Sequence, residues 1–309
     1  MAERKDMLNR EKKRAIISFL MSINHGISDE NFLKLKYRLI FGERLDLDNP
    51  KTFNEKLQWL KLYDRKDIYT VMVDKYEAKK YVAGIIGEEY IIPTLGIYDK
   101  YEDINFDKLP KKFVMKCTHN SGGIVICKDK TKIDNREAKK ILNKCLRRNF
   151  YYANREWPYK NVKPRIIIEK YMEDKKDGEL RDYKLFCFNG KFQMMFIATN
   201  RYGAGETCFD FFDKDFKHLP FTNGHPNAPV LPHKPTKLKE MIRLAEKLSK
   251  GIPQVRVDFY EANGKIYFGE MTFFHWSGLV PFEPEEWDLK FGEMINLDEV
   301  RGNRGTNAK

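Results

Sequence analysis

The stretch VRVDFYEANGKIYFGEMTFF, residues 255 to 274, sets an arginine, two acids and a threonine at alternate positions of two β-prone runs. Side chains alternate faces along a strand, so Arg256 shares a face with Asp258, and Glu270 shares one with Thr272. Whether the two pairs meet depends on the parity of the turn between them. A two-residue Asn263-Gly264 turn sends Glu270 to the side opposite Asp258. A three-residue turn, Ala262 to Gly264 with Gly264 left-handed in a bulge, pairs 258 with 268 and 256 with 270. We expect the three-residue turn, because it collects all four groups on one face. Two carboxylates taken out of water together raise each other's pKa, and a hard divalent cation relieves the repulsion. Oxygens from Asp258, Glu270 and the Thr272 hydroxyl suit Mg²⁺, which takes one or two carboxylates and leaves positions for substrate phosphates. Arg256 beside them is placed to neutralise charge developing on a phosphoryl group or an oxyanion. The competing reading is a ladder of ion pairs on a solvated face.

A second candidate lies upstream. In LPKKFVMKCTHNSGGIVICKDK, Lys116 closes a short apolar run just before a loop with Ser121, Gly122 and Gly123. Its ammonium and the loop N–H groups together suit phosphate, although a plain glycine turn between two strands reads equally well. The loop fits neither the Walker A pattern nor GxGxxG, and no HRD or DFG signature points to a protein kinase. The six histidines form no HExxH-type pair. The five cysteines form no CxxC pair, and four of them lie in apolar runs, as buried reduced thiols do.

The elements that must hold these groups follow from periodicity. Thr52 and Glu55 form a capping box before Phe53, Leu57 and Leu60, and the chain before about residue 70 reads as mostly helical. A helix stops near Gly84 to Gly87, and a strand ended by Pro93 follows it. Strands are expected at Phe113 to Met115, Ile124 to Cys127 and RIIIEKYM, with a helix at REAKKILNKCLRRNFYYA between the last two. YKLFCFNGKFQMMFIAT is a hairpin on Asn189-Gly190. A helix with Leu238, Met241, Ala245 and Leu248 inward ends at Gly251 and leads into the 255–274 hairpin.

With 309 residues, 42% of them hydrophobic, the chain has material for a sizeable core. No run approaches the roughly 20 apolar residues of a membrane span, and AIISFLM lacks a cleavage site, so a soluble, cytoplasmic protein without an integral membrane segment is expected. The 57 basic and 45 acidic residues leave a net charge of +12, which favours anionic partners. No RNP, zinc-finger or helix-turn-helix pattern accompanies that charge, so no nucleic-acid partner is expected.

The motifs TFNEKLQWLKLYD, DKY, IIPTLGIYD, LPKKFVMKCTHNSGG, RDYKLFCFNGK and RVDFYEANGKIYFGEMTF, in that order across roughly residues 30 to 290, resemble the TupA-like branch of the ATP-grasp superfamily, named for teichuronopeptide biosynthesis. The resemblance implies an α+β fold in which two lobes with antiparallel sheets grip ATP. The expected organisation is a helical region at 1–70, a small lobe at 71–164 with the phosphate loop, a large lobe at 165–300 with the adenine hinge and metal site, and a disordered tail at 301–309. By matching position, Lys116 and Lys75 would bind phosphates under a mobile lid of Ser121, Gly122 and Gly123. Glu169 would accept from the adenine amino group, with the backbone of Lys170, Tyr171 and Met172 completing adenine recognition, and Asp182 would meet ribose. Lys184 would lie near the phosphates, Asp258 and Glu270 would hold Mg²⁺, and Arg256 would stabilise the transferred phosphoryl group. His275, Trp276, Ser277 and Gly278 would sit where related ligases bind the second substrate. Thr272 departs from the family, most members having asparagine there, and two-metal occupancy is weakened accordingly.

The implied chemistry is ATP-dependent ligation: a carboxylate becomes an acyl phosphate, an amine attacks it, and an amide forms. Family analogy points to a uronic acid, free or nucleotide-linked, and an amino acid or amino alcohol, in surface polysaccharide assembly. Two alternatives stand beside it. A nucleotide-sugar glycosyltransferase would use a DxD motif, for which Asp46 to Asp48 and Asp213 to Asp215 are the candidates. A non-catalytic basic adaptor would bind polyanions and ignore ATP.

Overall fold

The computed structural model describes residues 24–174, 180–200, 205–298 and 300–302, with Ile16 and Ser18. Most of the basic segment before residue 24, and residues 303–309 of the expected tail, lie outside the described residues. Arg301 does not begin the tail, since its N–H still donates to Leu297 O at 2.9 Å.

From residue 24 onward the described chain first forms four α-helices: α1 (Asp29–Phe41), α2 (Phe53–Tyr63), α3 (Ile68–Val73) and α4 (Glu77–Ile86). Local chemistry accounts for their ends. Ser28 caps α1 and left-handed Gly42 stops it, while Thr52 and Glu55 close the expected capping box on α2. A four-stranded antiparallel sheet follows, built from β1 (Thr94–Tyr98), β2 (Phe113–Cys117), β3 (Val125–Cys127) and β4 (Ile166–Lys170) in the order β1-β4-β2-β3. Between β3 and β4 run α5 (Asn135–Leu146) and the short α6 (Tyr151–Asn154). The second sheet is antiparallel too, with β5 (Arg181–Phe188), β6 (Lys191–Thr199), β7 (Cys208–Asp213), β9 (Gln254–Ala262) and β10 (Lys265–Thr272) in the order β10-β9-β5-β6-β7. A small ribbon pairs β8 (Thr222–Asn223) with β11 (Phe282–Glu283), and α7 (Leu238–Leu248) and α8 (Glu286–Glu293) complete the chain.

Each sheet buries one face and keeps the other for polar work. On the first, Phe113, Met115, Cys117, Ile166 and Ile168 pack against Ala138 and Leu142 of α5. The opposite face carries Val114, Lys116 and Glu169, because Val114 lies directly across from Glu169. On the second, Leu185, Met195 and Val257 meet Met241, Leu244, Ala245 and Leu248 of α7. Its opposite face carries Asp182, Lys184, Arg256 and Asp258 next to Phe186, Phe188 and Phe196, with Lys184 across from Phe196 and Arg256 across from Phe186. Phe53 of α2 and Phe291 of α8, whose rings lie 5.5 Å apart, pack edge-on to Phe186 of this face.

Three expectations are corrected. The strand near Pro93 begins after the proline, at Thr94, and Pro93 contributes its carbonyl, which accepts from Lys170 N at 3.0 Å; a residue without N–H suits the entry of a strand rather than its ladder. Residues 166–170, placed at the head of the large lobe, form β4 inside the first sheet. Residues 71–86, placed in the small lobe, are helical, and Met72, Val73, Ala78, Val82 and Ile86 join the core of the five-stranded sheet.

The 255–274 hairpin supplies a fourth correction. It turns on two residues, Asn263 (φ +52°) and Gly264 (φ +74°), with Ala262 across from Lys265. Two positive φ angles give a turn whose twist matches the strands, which is why the short loop prevails over the expected three-residue one. Parity is restored further along: Phe268 pairs with Phe259, but Glu270 pairs with Asp258 and Thr272 with Arg256, leaving Gly269 as a bulge. A Cβ on Gly269 would lie 3.0 Å from the Asp258 carbonyl oxygen. The four groups do share one face, by a bulge rather than by the turn.

Candidate functional site

The centre of the charged face is Asp258, which is 1% exposed. Arg256 grips it with two bonds, Nε to Oδ1 at 2.7 Å and Nη2 to Oδ2 at 2.8 Å, and Lys184 Nζ lies 2.5 Å from Oδ2. Burial alone would push the Asp258 pKa up, but these two cations hold it down at about 2. The same surroundings, Asp258 above all, raise the pKa of the Arg256 guanidinium against the effect of burial. Arg256 also donates to Thr272 Oγ1 at 3.0 Å and to His275 Nδ1 at 2.8 Å. Since arginine only donates, His275 Nδ1 accepts and its Nε2–H is left for Asn223 Oδ1 at 3.0 Å. Burial and the neighbouring Arg256 charge keep that imidazole neutral, its pKa well below the usual range.

Glu270 is the open member of the set, its side chain 40% exposed. Arg256 Nη2 lies 3.5 Å from Oε1, and Lys75 Nζ, arriving from the turn between α3 and α4, lies 3.8 Å from Oε2. Burial would raise its pKa, but Lys75, with help from Lys184 and Arg256, holds it below the ordinary carboxylate range. Lys75 also donates to the Asn120 carbonyl at 2.8 Å, so one ammonium joins the phosphate-loop candidate to the second sheet.

Asp258 and Glu270, opposite one another, form an oxygen-only donor pair that fits a divalent cation bringing phosphate oxygens of its own. Asp258 is already neutralised by Arg256 and Lys184, so a cation there competes with the Lys184 ammonium. Among the described residues no three His, Cys, Asp or Glu side chains gather into a self-sufficient metal cage.

Facing this set, the first sheet presents Glu169 between two lysines. Lys116 Nζ lies 2.6 Å from Oε2, and Lys79 of α4 pairs with Oε1. Burial works against the charged carboxylate, but the two lysines hold its pKa below the ordinary value. Beside them stand Val114 and, half exposed, Ile124 and Ile126, an apolar strip on a cationic face. The loop between β2 and β3 is tied to the end of α5. His119 Nε2 lies 3.2 Å from Cys145 O and 3.1 Å from Arg148 O, and Asn120 Nδ2 donates to Cys145 O at 3.2 Å. Gly122 and Gly123 take φ of +87° and +65°, and a Cβ on Gly123 would fall 2.0 Å from Cys145 Sγ, so the tight left-handed path there requires glycine. Ser121 is exposed at the tip.

Of the remaining expected residues, Lys170 ends β4 in solvent, and the Tyr171 ring lies 5.5 Å from Lys112 Nζ, while Met172 is half-buried. Asp182 is buried with its Oδ2 2.8 Å from Lys184 Nζ, a position that suits holding the lysine better than meeting a ribose. Trp276 is partly exposed and stacks on Phe209, its indole N–H donating to Asn223 O. Trp276 and Ser277 both take the left-handed conformation, φ +49° and +58°, and Gly278 follows at +59°. Two consecutive non-glycine residues there are strained, and such strain persists only where the surroundings enforce it. Here Gln58 and Lys61 of α2 donate to the Ser277 carbonyl at 3.1 and 2.7 Å. A Cβ on Gly278 would lie 2.6 Å from Gln58 Nε2 and 2.8 Å from Leu57 Cβ. Gly278→Ala is therefore expected to cost about 1–3 kcal/mol, read as a lower urea midpoint; an unchanged midpoint would contradict this packing.

Sequence reasoning missed Lys79. Lys79 lies on an amphipathic helix like any surface lysine, and only the EKYM strand with its buried glutamate hinted that a second cation was needed. Both DxD candidates are consumed by turns: Asp46 Oδ1 accepts from Asp48 N and Asn49 N, and Asp213 Oδ1 accepts from Asp215 N and Lys217 N. No helix among the described residues is long and apolar enough to cross a membrane.

The sequence model of one family, TupA-like ATP-grasp, matches residues 55–296. Similar solved structures include D-alanine–D-alanine ligase from Bacillus anthracis, 21% identical with a TM-score of 0.46 over 77% of this chain and 70% of that one. The corresponding ligase from Helicobacter pylori is 14% identical, with a TM-score of 0.40 over 80% and 70%. L-amino acid ligase from Bacillus licheniformis is 13% identical, with a TM-score of 0.44 over 81% and 56%. No curated protein matches the chain.

Proposed function

Because the chain belongs to the TupA-like ATP-grasp family and is an ATP-dependent ligase, we propose that it uses MgATP to join the carboxylate of a uronic acid, free or nucleotide-linked, to an amine. The place in surface polysaccharide assembly, the choice of an amino acid or amino alcohol, and a cytoplasmic setting supplied with ATP belong to the same proposal. The observation that carries it is the Arg256–Asp258–Lys184–Glu270 constellation opposite Lys116 and Glu169, bridged by Lys75.

In this reading the small sheet receives the nucleotide. Each Glu169 oxygen spends one lone pair on a lysine and keeps a second for the adenine amino group. Val114 and Ile126 supply an apolar wall for the base, and the backbone of Lys170 to Met172 its edge. Lys116 and Lys75 take the phosphates, under Ser121 to Gly123. Bound Mg²⁺, held by Asp258 and Glu270 with Thr272 in support, would supply charge neutralisation at the transferred phosphoryl group. Asp182 fixes the Lys184 ammonium beside Asp258. Arg256, aligned by Asp258 and His275, faces the carboxylate oxygen that attacks the γ-phosphorus and later the oxyanion of the tetrahedral adduct. The reaction asks for positioning and electrostatics rather than a protein nucleophile.

The test is a nucleotide panel followed by product analysis. MgATP should raise the melting temperature by several degrees, since a ligand at a hundredfold its Kd adds about 2.7 kcal/mol to the folded state. Uronic acid with amine should release ADP. Release of a nucleoside diphosphate from a sugar donor, with indifference to ATP, would favour the glycosyltransferase; binding that falls steeply with salt and ignores nucleotides would favour the adaptor.

A further inference from the structure

The two lysines on Glu169 are not equivalent. Thr94, Glu169 and Val114 stand side by side on β1, β4 and β2, because Glu169 lies across from Thr94 on one neighbour and from Val114 on the other. Lys79 reaches this row from α4, which is anchored by Ala78 and Val82 in the core. Its ammonium donates to Ile92 O at 2.7 Å and to Thr94 Oγ1 at 3.0 Å, and it pairs with Glu169 Oε1. An ammonium carries three N–H groups, so all those of Lys79 are committed. Lys116 pairs with Glu169 Oε2 at 2.6 Å, and among the described residues no second acceptor lies within hydrogen-bond distance of its ammonium. Two of its N–H groups are left for a ligand.

The difference matters once an anion arrives. A nucleotide phosphate competes with Glu169 for the Lys116 charge. Glu169 is 4% exposed, and a carboxylate so buried stays ionised only while a cation remains on it. Lys79 supplies that cation throughout, because a main-chain carbonyl and a hydroxyl hold its ammonium in place. The charge in turn decides what Glu169 can read. An ionised carboxylate only accepts, so it takes an exocyclic amino group and repels a carbonyl oxygen. A protonated carboxyl group also donates, and a carbonyl oxygen then suits it as well. Adenine and hypoxanthine differ in that one group, amino in the first and carbonyl in the second.

We propose that Lys79 is the positioning residue for base selection: by keeping Glu169 ionised and in place while Lys116 turns to phosphate, it makes the site choose a 6-aminopurine nucleotide over a 6-oxopurine one. The proposal rests on the MgATP reading, with Glu169 facing the base. Lys79 does not touch the nucleotide and acts through Glu169. The two lysines thus divide the work, Lys116 answering to the phosphates and Lys79 to the base.

Binding of MgADP and of Mg-inosine diphosphate is measured by calorimetry on the full-length protein at one pH and ionic strength. Wild type should prefer ADP by about tenfold or more, the worth of one hydrogen bond to a charged group. In Lys79→Met most of that preference should disappear, chiefly through weaker ADP binding. Lys116→Met should weaken both nucleotides by a similar factor and keep the preference. If Lys79→Met does not fold, Thr94→Val, which removes one of the three oxygens around the ammonium, serves in its place, with about a threefold fall in preference expected. Equal weakening of ADP and inosine diphosphate in the Lys79 variant would make that lysine a general support of the pocket and overturns the proposal, as does a preference lost in Lys116→Met alone. A wild type that binds both nucleotides alike overturns base selection and leaves nucleotide binding standing. A wild type that binds neither refutes the MgATP reading, and the role of Lys79 with it.

Discussion

Arg256→Met is expected to lower the single-turnover rate of ADP formation by about 10²- to 10³-fold, the loss expected when one preorganised donor to developing negative charge is removed. The geometry explains why so much rests on one side chain. The guanidinium is held on four sides, by both Asp258 oxygens, Thr272 Oγ1 and His275 Nδ1, so in the proposed reaction it would meet the reacting oxygens without reorganising. Its pKa is raised, so no accessible pH discharges it. Arg256→Lys keeps the charge but not the fork, and should recover only part of the rate. Rates are compared where circular dichroism shows both proteins folded, because removing one partner of a buried pair costs about 3–5 kcal/mol in its own right. A rate for Arg256→Met within twofold of wild type would refute the role.

The second large effect is expected at Asp258. Asp258→Asn leaves Lys184 paired with Asp182 and Arg256 with the more distant Glu270 but removes the carboxylate that both cations share, and the melting-temperature rise given by MgATP should be lost or reduced to that of ATP alone. The acid limb of stability is a separate readout. The folded-state pKa of about 2 lies below the ordinary 3.8, so the carboxylate contributes stability that is present above about pH 4 and lost as pH falls toward 2. That contribution amounts to about 2 kcal/mol. In Asp258→Asn, stability between pH 4 and pH 2 should fall less steeply by that amount. A variant with the wild-type acid limb and an intact MgATP response would show that Asp258 neither pairs in the folded state nor holds the metal.

Buried His275 illustrates how burial and charge together choose a role. Its Nδ1 is occupied by Arg256 and its Nε2 by Asn223, so it supports the arginine and has no free nitrogen for proton transfer. Trp276, by contrast, stays partly exposed beside Phe209 and His225.

Much of the fold was legible in the chain because its signals are short-ranged. A capping box spans four residues, an Asn-Gly turn two, and a strand declares its faces by alternation, so α2, the β5–β6 hairpin and the shared face of Arg256 and Asp258 could be read directly. The chemistry-bearing set was legible for the same reason: Asp258, Glu270, Lys116 and the glycine loop stand out by residue type against apolar runs. The glycine bulge was not legible, because Gly269 reads as any small strand residue until the partner strand is present and its Cβ is seen to collide with the Asp258 carbonyl.

The residue sequence by itself therefore determined the local elements and the inventory of groups able to handle phosphate, since both depend on neighbours within one or two turns of chain. Tertiary structure decided which of those groups meet. Glu156 and Ser277 are 121 positions apart and Lys184 and Asp258 are 74, and no local pattern reports such a pairing. It also moved 166–170 into the first sheet and 71–86 onto the core of the second, because hydrogen-bond partners and apolar surface are found by the whole chain folding at once. The physical reason is one of range: propensity and capping act along the backbone, whereas the neutralisation of buried charge is settled only where distant segments are brought into contact.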